Sequence, residues 1–268
     1  MEIRLLGPAV RVLVDGRVAD AGTLKERSIL AVLALSAGKA VPTATLVERI
    51  WGPSPSASVR SSLYSCIARI RSRLESAGSE AGLRKLPHGY ALEIAPEAVD
   101  WYRVQNLRRQ ARDLAESGDH RAAVVLLSKA LSLWEGEPLA EIPGEWIHGH
   151  RASMNQTRLL LVDSWARSCL RIGHYDDVIA SVSETAAQHP NNERLAALLM
   201  EALAGSGRHA EAVDVYHRLR GVLAEEGNNP GGPAQAAFQR VLAGQAREAE
   251  DSAGPSGALR APAEPAAA

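Results

Sequence analysis

The chain has 268 residues, 46% of them hydrophobic, and a formal charge of −1. That length allows one large or two modest domains with packed cores; no apolar run reaches the roughly 18 residues of a membrane span, and the opening MEIRLLGPAV lacks the basic-then-apolar pattern of an export signal. The near-neutral total hides a split, because residues 1–99 carry 13 basic and 9 acidic side chains while the remainder carries 17 and 22, so the two parts are expected to face different partners.

Residues 2–6 and 9–14 are short apolar runs, interrupted by Gly7-Pro8 and closed by Asp15-Gly16, a hairpin signal. A small N-terminal sheet is expected, ending near Gly22. Thr23 then caps a helix from Leu24, whose Ile29, Leu30, Val32, Leu33 and Leu35 give a wide apolar face that stops at Gly38. Thr43 or Thr45 opens a second helix through Ile50, and Gly52-Pro53-Ser54-Pro55 breaks the chain. Ser56 is expected to cap a third helix. In it Val59, Leu63, Cys66, Ile67, Ile70 and Leu74 recur every three or four residues and share one face. The opposite face shows Ser58, Ser61, Ser65, Ala68, Arg69 and Ser72, with Tyr64 and Arg71 at its edge. Residues 83–94 follow as a hairpin.

From Asp100 to about Gly244 the pattern is helical. Segments beginning at Gly118, Gly173 and Gly207 resemble one another, and the last two are spaced at the 34-residue period of a tetratricopeptide repeat. A long helix from about Glu145 to Ile172 makes the first pair irregular. Leu195, Leu198, Leu199, Leu203, Ala212, Val215, Tyr216 and Leu219 are expected to fill the seam between the repeat helices. After Gln245 the chain is rich in Pro, Gly and Ala and reads as a disordered tail.

The third helix and the hairpin after it have the layout of a DNA-reading element. Ser58, Arg60, Ser61, Tyr64 and Ser65 would lie nearest the groove, where hydroxyls bond bases or phosphates. Arg69 and Arg71 would reach the flanking backbone or a guanine edge, and Arg73 is a further DNA-binding candidate whose plainer reading is a pair with Glu75 or a neighbour. Arg84, Lys85 and His88 would form a wing on the minor groove or phosphates, and Lys25 and Arg27 are candidate phosphate contacts. Against each stands a plainer reading, of a solvated helix face, an ordinary hairpin or simple surface charge. The field is modest for one subunit, so tight binding is expected to need a dimer or a helper.

Nothing assembles a nucleophile, a base and an oxyanion donor, so no enzyme is expected. The histidines are scattered, and His148 and His150 are spaced to face different ways on a helix, so neither a metal nor a cofactor is expected. The five tryptophans read as packing anchors. Cys66 and Cys169 read as two reduced, buried thiols of a cytoplasmic, nucleoid-associated protein.

The motifs RLLGPAVRVLVDG at 4–16, LVERIWG at 46–52, SVRSSLYSCIARIRSRLE at 58–75, LPHGYAL at 86–92 and LSKALSLWEGEPLAEIP at 127–143 resemble, in order and spacing, the Streptomyces antibiotic regulatory protein (SARP) family. The N-terminal part is similar to the winged-helix effector domain of OmpR-type regulators. The resemblance covers residues 2–245 and implies an α+β winged helix (1–96), an all-α tetratricopeptide-like bacterial transcriptional activation domain (97–245) and the tail (246–268). It implies a recognition helix at 58–73 and a wing at 84–89. It also implies an activator of a secondary-metabolite (antibiotic) gene cluster that binds double-stranded promoter DNA at direct repeats as a side-by-side homodimer and contacts RNA polymerase holoenzyme through its sigma factor and core subunits. Neither a receiver domain with a phosphoacceptor Asp nor a P-loop ATPase is expected, which is the small form. Pro42 departs from the family's usual helix cap. A second reading is a helical-repeat adaptor or ligand-sensing scaffold whose N-terminal domain does not bind DNA.

Overall fold

The computed structural model describes residues 1–79 and 82–252. Strands β1 (Glu2–Arg4), β2 (Arg11–Val14) and β3 (Arg17–Ala19) form an antiparallel sheet in that order. Its β2–β3 turn is the anticipated Asp15-Gly16, and both residues take positive φ (49° and 77°). Helix α1 (Leu24–Ala34) follows Thr23, whose N–H donates at 2.8 Å to the carboxylate of Glu26, the third helical residue. That pair makes half of a capping box, although Glu26 is fully buried and serves a second purpose described below.

Helix α2 (Thr43–Trp51) and helix α3 (Val59–Ser76) pack on α1. Helix α3 starts at Val59, three residues after the expected Ser56: Val59 N–H donates to the Ser56 carbonyl, so residues 56–58 make a turn in front of the helix. The six apolar positions read from spacing are all buried, and each contributes ~1.5–3 kcal/mol by leaving water. Strands β5 (Leu83–Leu86) and β6 (Gly89–Leu92) are the hairpin. Strand β4 (Val41–Pro42) pairs with β6 to give the order β4-β6-β5.

Helices α4 (Asp100–Glu116) and α5 (His120–Leu131) form an antiparallel pair around Gly118. Helix α6 (Glu145–Arg171) is the long intervening helix. By compactness the chain divides into Met1–Ser168 and a second unit from Cys169. The first unit therefore holds α4, α5 and most of α6 together with the winged helix, while the reading from sequence draws its line at residue 96.

Backbone bonds account for that grouping. Glu135, Leu139 and Glu141 N–H groups donate to the carbonyls of Leu6, Gly7 and Pro8 at 2.9, 2.7 and 2.9 Å. The Gly7-Pro8 break thus leaves carbonyls free of strand pairing, and residues 135–141 lie along them as a strap. Arg151 of α6 donates to the strap's Pro138 and Leu139 carbonyls at 3.0 and 2.7 Å, and to the Ile142 carbonyl just beyond it at 3.1 Å. At the start of α4 the Asp100 carboxylate, 2% exposed, accepts from the backbone N–H groups of Leu5, Leu6 and Trp101.

In the second unit, α7 (Tyr175–Gln188), α8 (Glu193–Gly205) and α9 (His209–Glu225) stack in sequence, and α10 (Gly232–Ser252) lies on α8 and α9. Gly173 and Gly207, the repeat markers, take φ of 77° and 78° in the turns before α7 and α9, a conformation that favours glycine. The expected seam residues are buried except Tyr216, whose ring is partly exposed and stacks on Phe238 of α10 with centroids 3.9 Å apart. The backbone of α10 continues to Ser252, past the point where a tail is expected to begin. Residues 253–268 of that tail lie outside the described ones.

Candidate nucleic-acid interface

Docking the apolar stripe of α3 on α1 and α2 turns Arg60, Ser61, Tyr64, Ser65, Ala68 and Ser72 outward, and all are exposed. Ser58 is exposed at the N-cap, its Oγ 3.0 Å from that of Ser56. Ser65 Oγ donates to the Ser61 carbonyl at 3.0 Å. That local bond keeps the hydroxyl close to the helix and the surface low, so another backbone can approach closely. Arg60 has no side-chain partner among the described residues and is the unpaired cation of this face.

The other arginines of α3 are engaged within the protein. Arg69 donates through Nε to Glu26 and through Nη2 to Cys66 Sγ at 3.3 Å. Arg73 bridges Asp20 at 2.8 Å and Glu26 at 3.4 Å. Burial works to raise the pKa of Glu26. The hydrogen bonds from Arg69 and the Thr23 N–H, with the charges of Arg73 and Arg69, prevail and hold it below the ordinary carboxylate value. The hydrogen bond to Glu26 raises Arg69, and that to Asp20 raises Arg73. Arg71 points Nε and Nη2 at the Leu83 carbonyl, at 2.9 and 2.7 Å, and so ties α3 to the hairpin.

On the hairpin, Arg84 pairs with Glu93 at 3.0 Å. Lys85 and His88 are exposed and have no side-chain partner among the described residues. Lys25 sits over the Trp51 ring, 5.2 Å from its centroid. Arg27 is held by Glu141, from the strap. The structure therefore joins α3 to the wing and leaves Arg60, Lys85 and His88 as open basic or titratable groups. It gives Arg27, Arg69, Arg71, Arg73 and Arg84 partners of their own.

Spacing does not expose these partners, since they lie 43, 12 and 114 residues away in the pairs Arg69–Glu26, Arg71–Leu83 and Arg27–Glu141. Only Glu26 left a local trace, in Thr23-x-x-Glu26. Among the described residues no group of three or more His, Cys, Asp or Glu is placed to hold a metal ion, and no helix is long and apolar enough to cross a membrane.

A three-helix core with a β-hairpin wing, followed by helical pairs, is the architecture of winged-helix transcriptional regulators. Residues 21–92 match the family model of the C-terminal domain of transcriptional regulatory proteins, and residues 99–242 match that of the bacterial transcriptional activator domain. The chain is 31% identical to regulatory protein DnrI of Streptomyces peucetius, over 84% of this chain and 86% of that protein. It is 34% identical to transcriptional regulator RedD of Streptomyces coelicolor, over 91% and 71% respectively. Against regulatory protein AfsR of Streptomyces coelicolor it is 35% identical over 93% of its length, but it spans only 25% of that larger protein. Mycobacterium tuberculosis EmbR, solved in complex with a low affinity phosphopeptide, superposes with a TM-score of 0.84 at 26% identity, covering 94% of this chain and 69% of that one. The chain belongs to the Streptomyces antibiotic regulatory protein family.

Proposed function

We propose that this regulator is a sequence-specific DNA-binding activator of a secondary-metabolite gene cluster, binding promoter direct repeats as a side-by-side homodimer and recruiting RNA polymerase holoenzyme in the cytoplasm, at the nucleoid. Residues 1–96 are the reader and 97–245 the activating part. The observation that carries the reading is the outward face of α3: small hydroxyl side chains, Tyr64 and one unpaired cation, Arg60, beside a wing that offers Lys85 and His88. Hydroxyls bond phosphates and base edges at close range, Arg60 supplies a phosphate or guanine contact, and Lys85 adds a second phosphate.

Fluorescence anisotropy on promoter fragments at several salt concentrations tests it. Affinity should fall steeply with salt, and Arg60→Ala should lower the slope of log K against log salt by about 0.9, the share of one phosphate. Binding that is absent, or indifferent to salt, across many promoters refutes the reading.

The internal pairing of Arg69, Arg73 and Arg84 favours the second reading, a helical-repeat adaptor with a silent N-terminal domain. A pull-down that recovers a partner outside transcription and no polymerase subunit would select it.

A further inference from the structure

We infer that Glu141 is a positioning residue, which locks α1 to the strap so that the recognition helix and helices α4–α6 turn as one body on DNA. The inference rests on the activator reading above.

Glu141 is held from several sides. Its Oε1 accepts from Arg27 Nε and from the Val10 backbone N–H, both at 2.9 Å; its Oε2 accepts from Arg27 Nη2 at 2.8 Å; and its own N–H donates to the Pro8 carbonyl at 2.9 Å. Arg27 Nη1 is taken by the Gly22 carbonyl. Each nitrogen of the guanidinium therefore has an acceptor, and no fork remains for a phosphate. The two side chains are 27% and 20% exposed, so water screens the pair less than a surface bridge. Six residues upstream Glu135 takes Arg4 at 2.8 Å and also Arg11, which pins the other end of the strap to β1 and β2.

Glu26 and Arg27 are neighbours on α1 and face different ways, as successive helical residues do. Glu26 receives Arg69 and Arg73 from α3. Arg27 grips Glu141, and the carbonyls of the strap are held in turn by Arg151 of α6. Charged hydrogen bonds, joined by short stretches of backbone at Glu26-Arg27 and between Leu139 and Glu141, thus run from the helix that reads DNA to the helices that activate. A rotation of α3 relative to α6 must break one of these links. Together they fix the direction in which the activating helices point from a bound operator.

The test moves a bound operator in single base-pair steps away from its promoter and measures transcript per bound activator, with purified Streptomyces RNA polymerase holoenzyme. A rigid coupling makes wild-type output oscillate with the helical repeat of about 10.5 bp. Glu141→Gln keeps the size of the side chain and an acceptor for Val10 but loses the charge. Arg27→Lys keeps the charge and loses the fork. Both should keep the wild-type salt slope of binding and lose the oscillation, and thermal melts check that they are folded. A residue that only adds stability would shift the melt and leave the oscillation intact.

Wild-type oscillation in both variants overturns the inference. So does an Arg27→Ala slope lower by about 0.9, which would make Arg27 a phosphate contact. A wild-type chain that binds and activates no promoter fails the activator reading itself, a different result from either.

Discussion

Replacing Asp100 by Ala removes the acceptor for the N–H groups of Leu5 and Leu6, both of which belong to fully buried residues. Each buried donor left unpaired costs ~1–3 kcal/mol, so the two together cost ~2–6 kcal/mol. An opposing effect comes from the charge. Burial pushes the Asp100 carboxyl from its ordinary 3.8 up to about 6, despite the N–H groups of Leu6, Leu5 and Trp101 and the charge of Arg103, which pull it down. A rise of that size means that holding the group ionised costs the folded chain ~3 kcal/mol at neutral pH. The substitution relieves that cost, and the net loss near neutrality is a few kcal/mol at most. Because folding raises this pKa, the carboxyl's contribution is full below 3.8 and is lost as pH rises through about 6. The Asp100→Ala deficit should therefore be larger in acid, by ~2 kcal/mol between about pH 7.5 and about pH 4.5. Urea denaturation of the full chain and the variant at both values measures it, and the difference between the two removes titrations they share. A deficit that stays constant, or that grows as pH rises, refutes the reasoning: the three N–H bonds would then balance burial in the first case and outweigh it in the second.

Three further substitutions test the packing around the interface and the repeats. A Cβ at Gly89 would stand 2.0 Å from the Val41 carbonyl oxygen, so Gly89→Ala should part β4 from β6 and cost ~3 kcal/mol or more, seen in thermal melts and in exchange of the Tyr90 amide. At Gly205 a Cβ meets the Tyr175 ring at 2.5 Å. Overpacking of ~1–3 kcal/mol outweighs the ~0.5–1 kcal/mol by which Ala favours helix, and Gly205→Ala should lower the melting temperature of the repeat unit. Arg71→Ala removes two charge-assisted bonds to the Leu83 carbonyl. The wing should loosen by ~1.5–3 kcal/mol in hydrogen exchange, while the salt slope of DNA binding stays at its wild-type value.

What could be read in the sequence was whatever is local. The stripe Val59, Leu63, Ile67, Ile70 and Leu74 announces α3 and its buried side; Leu83 to Leu92 announces the wing; Gly173 and Gly207 announce a repeat. Two-residue β4 carries no periodicity and exists only because β6 offers an edge. Gly7-Pro8 reads correctly as an interruption, but its purpose depends on residues 135–141, which are polar and apolar in no regular period. The candidate site shows the same division. Spacing identifies which side chains of α3 leave the core, and hence Ser61, Tyr64 and Ser65. It cannot tell a free arginine from a paired one, because Asp20, Glu26 and Glu141 come from distant stretches. Charge density drew attention to Arg69, Arg71 and Arg73, whereas the unpaired Arg60 lies at the opposite end of the same helix.

The strap bears on how such regulators are recombined. A chimera cut at residue 96 would take the reader without the partners of the Leu5 and Leu6 amides and of the Leu6, Gly7 and Pro8 carbonyls, and would hand the recipient's strap a foreign edge. A cut after Ser168 carries the strap and the edge it covers together. The segment that can be exchanged as a working part is then larger than the DNA-reading fold, and residues 4–10 and 135–141 have to change hands as a matched pair.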